Sequence, residues 1–260
     1  MTTAEIPARA GRQLRNRYSA ADLAVLTPDE ARRFVPAGGG DPRSDPSLAW
    51  ELLYRLEPAL YDQLVSAERI HPGVLGWLPP ADKIVEVGAG AGRLTMQLIG
   101  RGAQIVAIEP AAPMRALLRQ KLSRAALGGQ VQVTDGFIDC LPAASGSADL
   151  VVACSVLTPA AGHGGEAGLA EMERVCRPGG QVAIIWPNNV GWLTGHGYRY
   201  LSFAGPMAAE FSSCQEAVEL ARIFYPHAAA EIRRRGRREV PYELLGFNPP
   251  RDLAVKVTSQ

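Results

Sequence analysis

Apolar residues in the middle of the chain come in short, nearly unbroken runs separated by helix-like spacing. Ile84–Val87, Gln104–Ile108, Val131–Val133, Asp149–Cys154 and Gln181–Trp186 read as strands buried on both faces. Between them, Leu94–Gly100 reads as a helix ended by Gly102. Pro113–Leu127 sets Met114, Leu117, Leu118, Leu122 and Ala125 on one side, and Glu166–Val175 does the same with Leu169, Met172 and Val175. Strands alternating with helices predict a parallel sheet with helices on both faces. Upstream, Ser19–Leu26 reads as a short helix. Thr27-Pro28-Asp29-Glu30 carries the cap, proline and acid of a helix start, and that helix ends before Pro36. Gly38–Pro42 is a break. A further helix begins at Asp45-Pro46, with Leu53, Leu56, Leu60 and Leu64 as its stripe and Pro58 kinking or restarting it. Downstream, Ser212–Tyr225 is helical, with Ala217, Leu220, Ala221 and Phe224 inward, and Glu239–Leu245 and Leu253–Thr258 read as two closing strands. The organisation expected is a helical and flexible appendage over residues 1–43, loose at its start, and an α/β domain over 44–260. Within that domain, 187–230 is expected to act as a lid or acceptor-site insertion.

The run Ile84–Val87 stops at glycines in alternate positions, Gly88, Gly90 and Gly92, before the next helix. Glycine supplies backbone angles denied to other residues and lets a ligand approach the main chain. Open amides at a helix start favour an anionic group. Glu109, at the end of the next strand, lies about 20 residues beyond Gly88, the spacing at which an acid accepts hydrogen bonds from ribose hydroxyls. Gly88, Glu109, Asp135 and Cys154 all fall at strand ends, where such sheets bind their ligands. Nicotinamide sites usually carry Gly-x-Gly-x-x-Gly; the spacing here is Gly-x-Gly-x-Gly, preceded by Glu86.

That motif resembles the first motif of class I S-adenosylmethionine-dependent methyltransferases, and the resemblance runs in order through Asp82–Pro187. It implies a Rossmann-like, doubly wound, mostly parallel seven-stranded sheet with helices on both faces, the last strand antiparallel, and an N-terminal helical appendage. It implies S-adenosyl-L-methionine as cofactor and S-adenosyl-L-homocysteine as product. By resemblance, Glu86, Gly88, Ala89, Gly90 and Gly92 form the cofactor turn. Glu109-Pro110 holds the ribose, and Met114 packs near the adenine. Asp135-Gly136-Phe137 contacts the adenine amine, and Ala153-Cys154 ends the fourth strand. Asn248-Pro249-Pro250 looks like the motif of DNA amino-methyltransferases, but it lies between the closing strands and lacks the aromatic residue, so it reads as a turn.

Composition narrows the partners. The 27 Lys and Arg balance 26 Asp and Glu, which gives no general pull toward nucleic acid. No apolar stretch nears a membrane span, and Met1–Ala10 lacks a secretory core. Cys140, Cys154, Cys176 and Cys214 show no paired spacing, so they read as reduced, with no metal site, in a cytoplasmic protein. The chain is expected to be a monomer or homodimer acting on a small molecule, and its Ala, Gly and Arg content points to bacterial specialised metabolism. Methyl transfer is an in-line displacement that needs alignment more than a catalytic group. Where the acceptor needs a base, His163 is the candidate. Ser155, Tyr61, His196 and Tyr198 are candidate acceptor contacts, with packing as the alternative for Tyr61. The five arginines of 233–238 read as a solvated helix end. The competing functions are a cyclase or decarboxylase on the same scaffold, a nucleic-acid or protein methyltransferase, a nicotinamide oxidoreductase and a non-catalytic binding module.

Overall fold

The computed structural model describes residues 14–101 and 104–259. The start of the chain, expected to be loose, and Gly102, expected to end a helix, lie outside the described residues. In chain order the helices are α1 (Pro28–Phe34), α2 (Pro46–Leu56), α3 (Pro58–Ser66), α4 (Pro72–Trp77), α5 (Thr95–Leu98), α6 (Ala112–Arg124), α7 (Gly165–Val175), α8 (Val190–Gly195), α9 (Cys214–Phe224), α10 (Pro226–Arg235) and α11 (Tyr242–Leu245). The strands are β1 (Lys83–Val87), β2 (Gln104–Ile108), β3 (Val131–Thr134), β4 (Ala148–Cys154), β5 (Cys176–Ile185), β6 (Arg199–Ser202), β7 (Ala208–Glu210), β8 (Glu239–Pro241) and β9 (Asp252–Val257).

The chain divides into two compact units. Among the described residues, one holds 70–101, 104–205 and 250–259; the other holds 14–69 and 206–249. The boundary expected near residue 43 therefore falls inside the second unit, and the expected insertion at 187–230 is split between the two. The sequence argument followed the glycine break at 38–40. The contacts follow α2 and α3 instead, which pack with chain from beyond residue 206.

The first unit is built on a seven-stranded sheet of order β3-β2-β1-β4-β5-β9-β6. Strands β1 to β5 are parallel, and β9 runs antiparallel between β5 and β6. The antiparallel last strand matches the expectation. Its hairpin partner does not: β6 comes from the aromatic stretch after Trp186, whereas Glu239–Pro241 leaves the main sheet and pairs with β7. Strands β1 and β4, and β5 from Val182 on, are buried along almost their whole length, so their side chains form two layers, as continuous apolar runs require. One layer joins Val87, Val151, Ala153 and Ile184 to Leu169 and Met172 of α7. Helix α6 buries Met114, Leu118 and Leu122. Ala125, expected on that face, is exposed because the helix has ended at Arg124. Register sets the strand tips level: Val87 lies beside both Ile108 and Ala153, and Cys154 beside Ile185.

The second unit is mainly helical. Pro58 restarts the chain, so the Leu53–Leu64 stripe belongs to two helices, α2 and α3, joined at Glu57. Leu53 and Leu64 are buried, while Leu56 at the junction is exposed. Trp50 meets Tyr54, Tyr61 and Phe224 with ring centroids about 6 Å apart. Arg55 is buried between Glu51 at 2.5 Å and Glu30 at 3.1 Å.

Candidate active site

The turn after β1 is shaped by positive backbone angles at Gly88 (φ 69), Gly90 (φ 56) and Gly92 (φ 95). At Gly88 a Cβ would stand 2.5 Å from Val156 Cγ2, so only glycine allows the turn to pack under the segment after β4. The amides of Gly88 and Ala89 both donate to Ile108 O, which ties the turn to the tip of β2. Glu109, the next residue, is 7% exposed. Gly90 N–H donates to its Oε2 and Ala111 N–H to its Oε1, each at 2.9 Å. The carboxylate is thereby fixed in one orientation against the glycine turn.

The helix after this turn is a single turn, Thr95–Leu98. The expected pull of a helix dipole is correspondingly weak, because the macrodipole is a sum over aligned peptides. Beneath the turn, Glu86 is 2% exposed and accepts from Thr95 Oγ1 at 2.6 Å. Burial pushes its carboxyl up to about 8, against the lowering effect of the Thr95 bonds.

Two side chains at the strand tips escaped the sequence argument. Arg93 Nη2 donates to Cys154 Sγ at 3.2 Å, and its guanidinium lies 5.3 Å from the centre of the Trp186 ring. Arg115 Nη1 donates to the carbonyls of Glu109 and Pro110, each at 2.7 Å, and to Asp135 Oδ1 at 2.9 Å. Arg93 directly follows Gly92, so its place in the motif was the available signal. Arg115 sits on an ordinary helix face, and only the fold brings it to Asp135. The geometry therefore gathers the turn 88–92, Glu109, Cys154 and Val156, and it links Asp135 to Glu109-Pro110 through Arg115.

The other candidates are distributed as follows. Met114 and Ala153 are buried. Gly136 packs against Pro142 and Ile108, and Phe137 pairs with Cys140 in an isolated bridge. Ser155, in a left-handed conformation (φ 57), donates its amide to Ile185 O. His163 is half-buried in the turn Ala161–His163, its carbonyl accepting from Thr158 N–H. Tyr61 packs edge-on to Tyr54 at 4.7 Å in the helical unit, which is the packing alternative.

Two acceptor-contact expectations change. Tyr198 is 3% exposed and donates to Glu173 at 3.2 Å, with Lys256 over its ring. The next residue, Arg199, lies level with Ala183 inside β5, while Ser202 lies level with the tip through Asp252. Tyr198 therefore packs against α7, back from the ligand end of the sheet. His196 is taken up on both nitrogens: Nδ1 lies 2.8 Å from Trp192 O and Nε2 2.8 Å from Glu166. Facing two acceptors, the ring is favoured in its protonated form. The Trp192 carbonyl foremost, with Glu166, raises its pKa. The ring joins the end of α8 to α7.

Among the described residues, no group of three or more His, Cys, Asp or Glu is arranged to hold a metal, and no helix is long and apolar enough to cross a membrane. None of Cys140, Cys154, Cys176 and Cys214 is in a disulfide.

Residues 85–184 match the family model for a methyltransferase domain. An uncharacterized methyltransferase of Mycobacterium tuberculosis is 33% identical over 129 residues, covering 47% of this chain and 49% of that protein. The chain thus spans about half the length of that curated relative. Tuberculostearic acid methyltransferase of the same organism is 25% identical over 163 residues, covering 63% of this chain and 36% of its own length. A solved putative S-adenosyl-L-methionine-dependent methyltransferase of Methanococcus maripaludis covers 81% of this chain and 90% of its own, at 14% identity and a TM-score of 0.45. The matched stretch, residues 85–184, is similar to a methyltransferase domain and holds the glycine turn, while the fixed acid at the end of β2 lies within it.

Proposed function

We propose that the chain is an S-adenosylmethionine-dependent methyltransferase acting on a small-molecule acceptor in the cytoplasm. The observation that carries this reading is the Glu109 carboxylate. Its oxygens accept the amides of Gly90 and Ala111, which fix the carboxylate at the end of β2, and a carboxylate oxygen accepts more than one hydrogen bond. Two acceptor positions in one plane match the neighbouring hydroxyls of a ribose. The turn at Gly88 offers main chain without side chains, which suits the amino-acid end of the cofactor. On these grounds the residues present fit S-adenosylmethionine.

When bound, that cofactor supplies a methyl group already activated by its sulfonium. The chain's own residues then have to bind, orient and exclude water. Glu109 fixes the sugar. Pro110, Met114 and Asp135-Gly136-Phe137 border the adenine, with Arg115 holding one oxygen of Asp135. Ala153, Cys154 and Ser155, at the tip of β4, border the reacting carbon. Alignment of this kind lowers a barrier by several kcal/mol, on the order of what oriented reactants gain. For a hydroxyl or an acidic carbon, His163 is the proposed base. Similarity to a tuberculostearic acid methyltransferase puts acids of that kind among the acceptors to assay first.

Calorimetry tests the reading. The wild type should bind S-adenosylhomocysteine at micromolar concentration. Glu109→Ala should weaken binding by about tenfold or more, since hydrogen bonds to a charged group are worth about 1.5–3 kcal/mol each. A wild type that binds neither S-adenosylmethionine nor its product overturns the proposal.

A further inference from the structure

In the methyltransferase reading the cofactor takes the tips of β1 and β2, and β4 borders the reacting carbon. The acceptor is left with the tips beyond, those of β5, β9 and β6 in that order. Strand β9 runs antiparallel to β5, so its first residue, Asp252, stands at this end of the sheet. Trp186 N–H, just past β5, donates to Asp252 O at 2.9 Å, and Ser202, the last residue of β6, lies level with Asp252 on the other side. Neighbouring strands are about 4.8 Å apart, which puts Asp252 about 10 Å along the sheet from the tip of β4. A small molecule with one end at the reacting carbon spans that distance.

Asp252 forms a pair with Tyr200 here. Tyr200 lies level with Ala254, two residues along from Asp252, so the two side chains share a face. Tyr200 Oη donates to Asp252 Oδ2 at 2.8 Å. The other carboxyl oxygen, Oδ1, is sealed from solvent and has no hydrogen-bond partner. Burial foremost raises the Asp252 pKa, against the lowering effects of the Tyr200 bond and of Arg251. Burial, then Asp252, pushes Tyr200 up to about 12, with Ser202 and Arg251 acting the other way. The phenol therefore keeps its proton at neutral pH and directs it to Asp252, which leaves the phenol oxygen as an acceptor. Tyr200 is 39% exposed and the bond lies at the surface, so the pair is open on the phenol side. A second bare oxygen stands at the same end of the sheet. Asn188, two residues past Trp186, donates through Nδ2 to Leu157 O at 3.4 Å, and its Oδ1 is buried without a partner. Both bare atoms are acceptors, and a buried acceptor costs free energy until a donor meets it. A ligand group that donates, a hydroxyl or an ammonium, suits such a place. An ether or a carboxylate brings only lone pairs.

We propose that Tyr200 and Asp252 bind a hydroxyl or ammonium group of the acceptor molecule, which donates to the phenol oxygen while Asp252 holds the phenol's own proton. The proposal deepens the methyltransferase reading and rests on it. Tyr200 is then a residue that selects the acceptor, and Asp252 is the residue that positions it.

The full chain is prepared with isotope-labelled tyrosine Cζ, and the Tyr200 nuclear magnetic resonance signal is assigned by its loss in Tyr200→Phe. Proteins saturated with S-adenosylhomocysteine are titrated with benzyl alcohol, benzylamine, benzyl methyl ether and benzoate. The alcohol or the amine should shift the Tyr200 signal and bind about threefold or more tighter than the ether and benzoate, and the tighter of the two identifies the group. Tyr200→Phe, which removes only the hydroxyl, should abolish that preference. Asp252→Asn keeps the shape without the charge and should weaken the tighter probe by a similar factor. If circular dichroism finds Tyr200→Phe unfolded, Asp252→Asn, which shifts the same signal, both assigns it and carries the comparison. A Tyr200 signal that answers none of the probes, or answers all of them alike, overturns the proposal, and so does a preference for donors that survives both substitutions. A wild type that fails to bind S-adenosylhomocysteine is a different result: it overturns the methyltransferase reading on which the proposal stands.

Discussion

Glu86 shows how one residue ties the family motif to the stability of the domain. Its carboxyl is sealed under the glycine turn with a hydroxyl donor from Thr95, and burial raises its pKa from an ordinary 4.5 to about 8. The folded chain therefore holds a proton that the unfolded chain releases above about pH 4.5. Stability linked to that proton is complete below about pH 4.5 and is lost as pH rises through 8, at up to about 1.4 kcal/mol per pH unit. Glu86→Gln keeps the size and removes the titration. Thermal unfolding between pH 6 and 9 should show the wild type losing stability while the variant stays nearly level; parallel curves would contradict this account. At the same scale, the glycine turn and Glu109 were legible because chemistry and spacing both single them out. His196 was not, because its role depends on Trp192 O and Glu166, which only the packing of α8 on α7 brings to its two nitrogens.

Among the elements, helices α1 and α2 are held by a charge cluster that no periodicity announces. The Arg55 side chain is 3% exposed, lies between Glu30 and Glu51 and stacks on Phe34 at 5.3 Å. Removing the cation strands two partly buried acids, a change that costs about 3–5 kcal/mol. Arg55→Met should lower the denaturation midpoint accordingly and speed amide exchange in α1 and α2. Glu30→Gln in the same chain should recover part of the loss. No recovery would place the effect in lost packing of the Arg55 stem. Strand identity shows a similar limit. Arg199–Ser202 is short and mostly exposed, so it lacks the apolar signature of the central strands, and its partner β9 decides its place. Glu239–Pro241 looked like the better strand and joined a different sheet.

At the scale of the whole molecule, charge bears on the class of partner. The net formal charge is +1, and within the arginine run Arg234 and Arg235 pair with Glu231 and Arg238 with Glu239. A chain so balanced neutralises few phosphates, so binding to DNA or RNA should be weak and should change little between 50 and 200 mM salt. Gel-shift titration at both concentrations checks this. A drop of about a thousandfold between them, as many phosphate contacts produce, would favour a nucleic-acid acceptor. The division into units also belongs to this scale. Residues 14–69 group with 206–249, far away in sequence.

The amino-acid sequence by itself determined the parallel core, the glycine turn and the acid at the end of β2. Each rests on local physics: continuous apolar runs demand burial on both faces, and positive φ favours glycine. Tertiary structure alone decided which late segment completes the main sheet, where the helical unit ends, and that Arg93 and Trp186 meet above the strand tips. Those outcomes depend on pairings between residues distant in the chain, which hydrophobic period and turn chemistry do not encode.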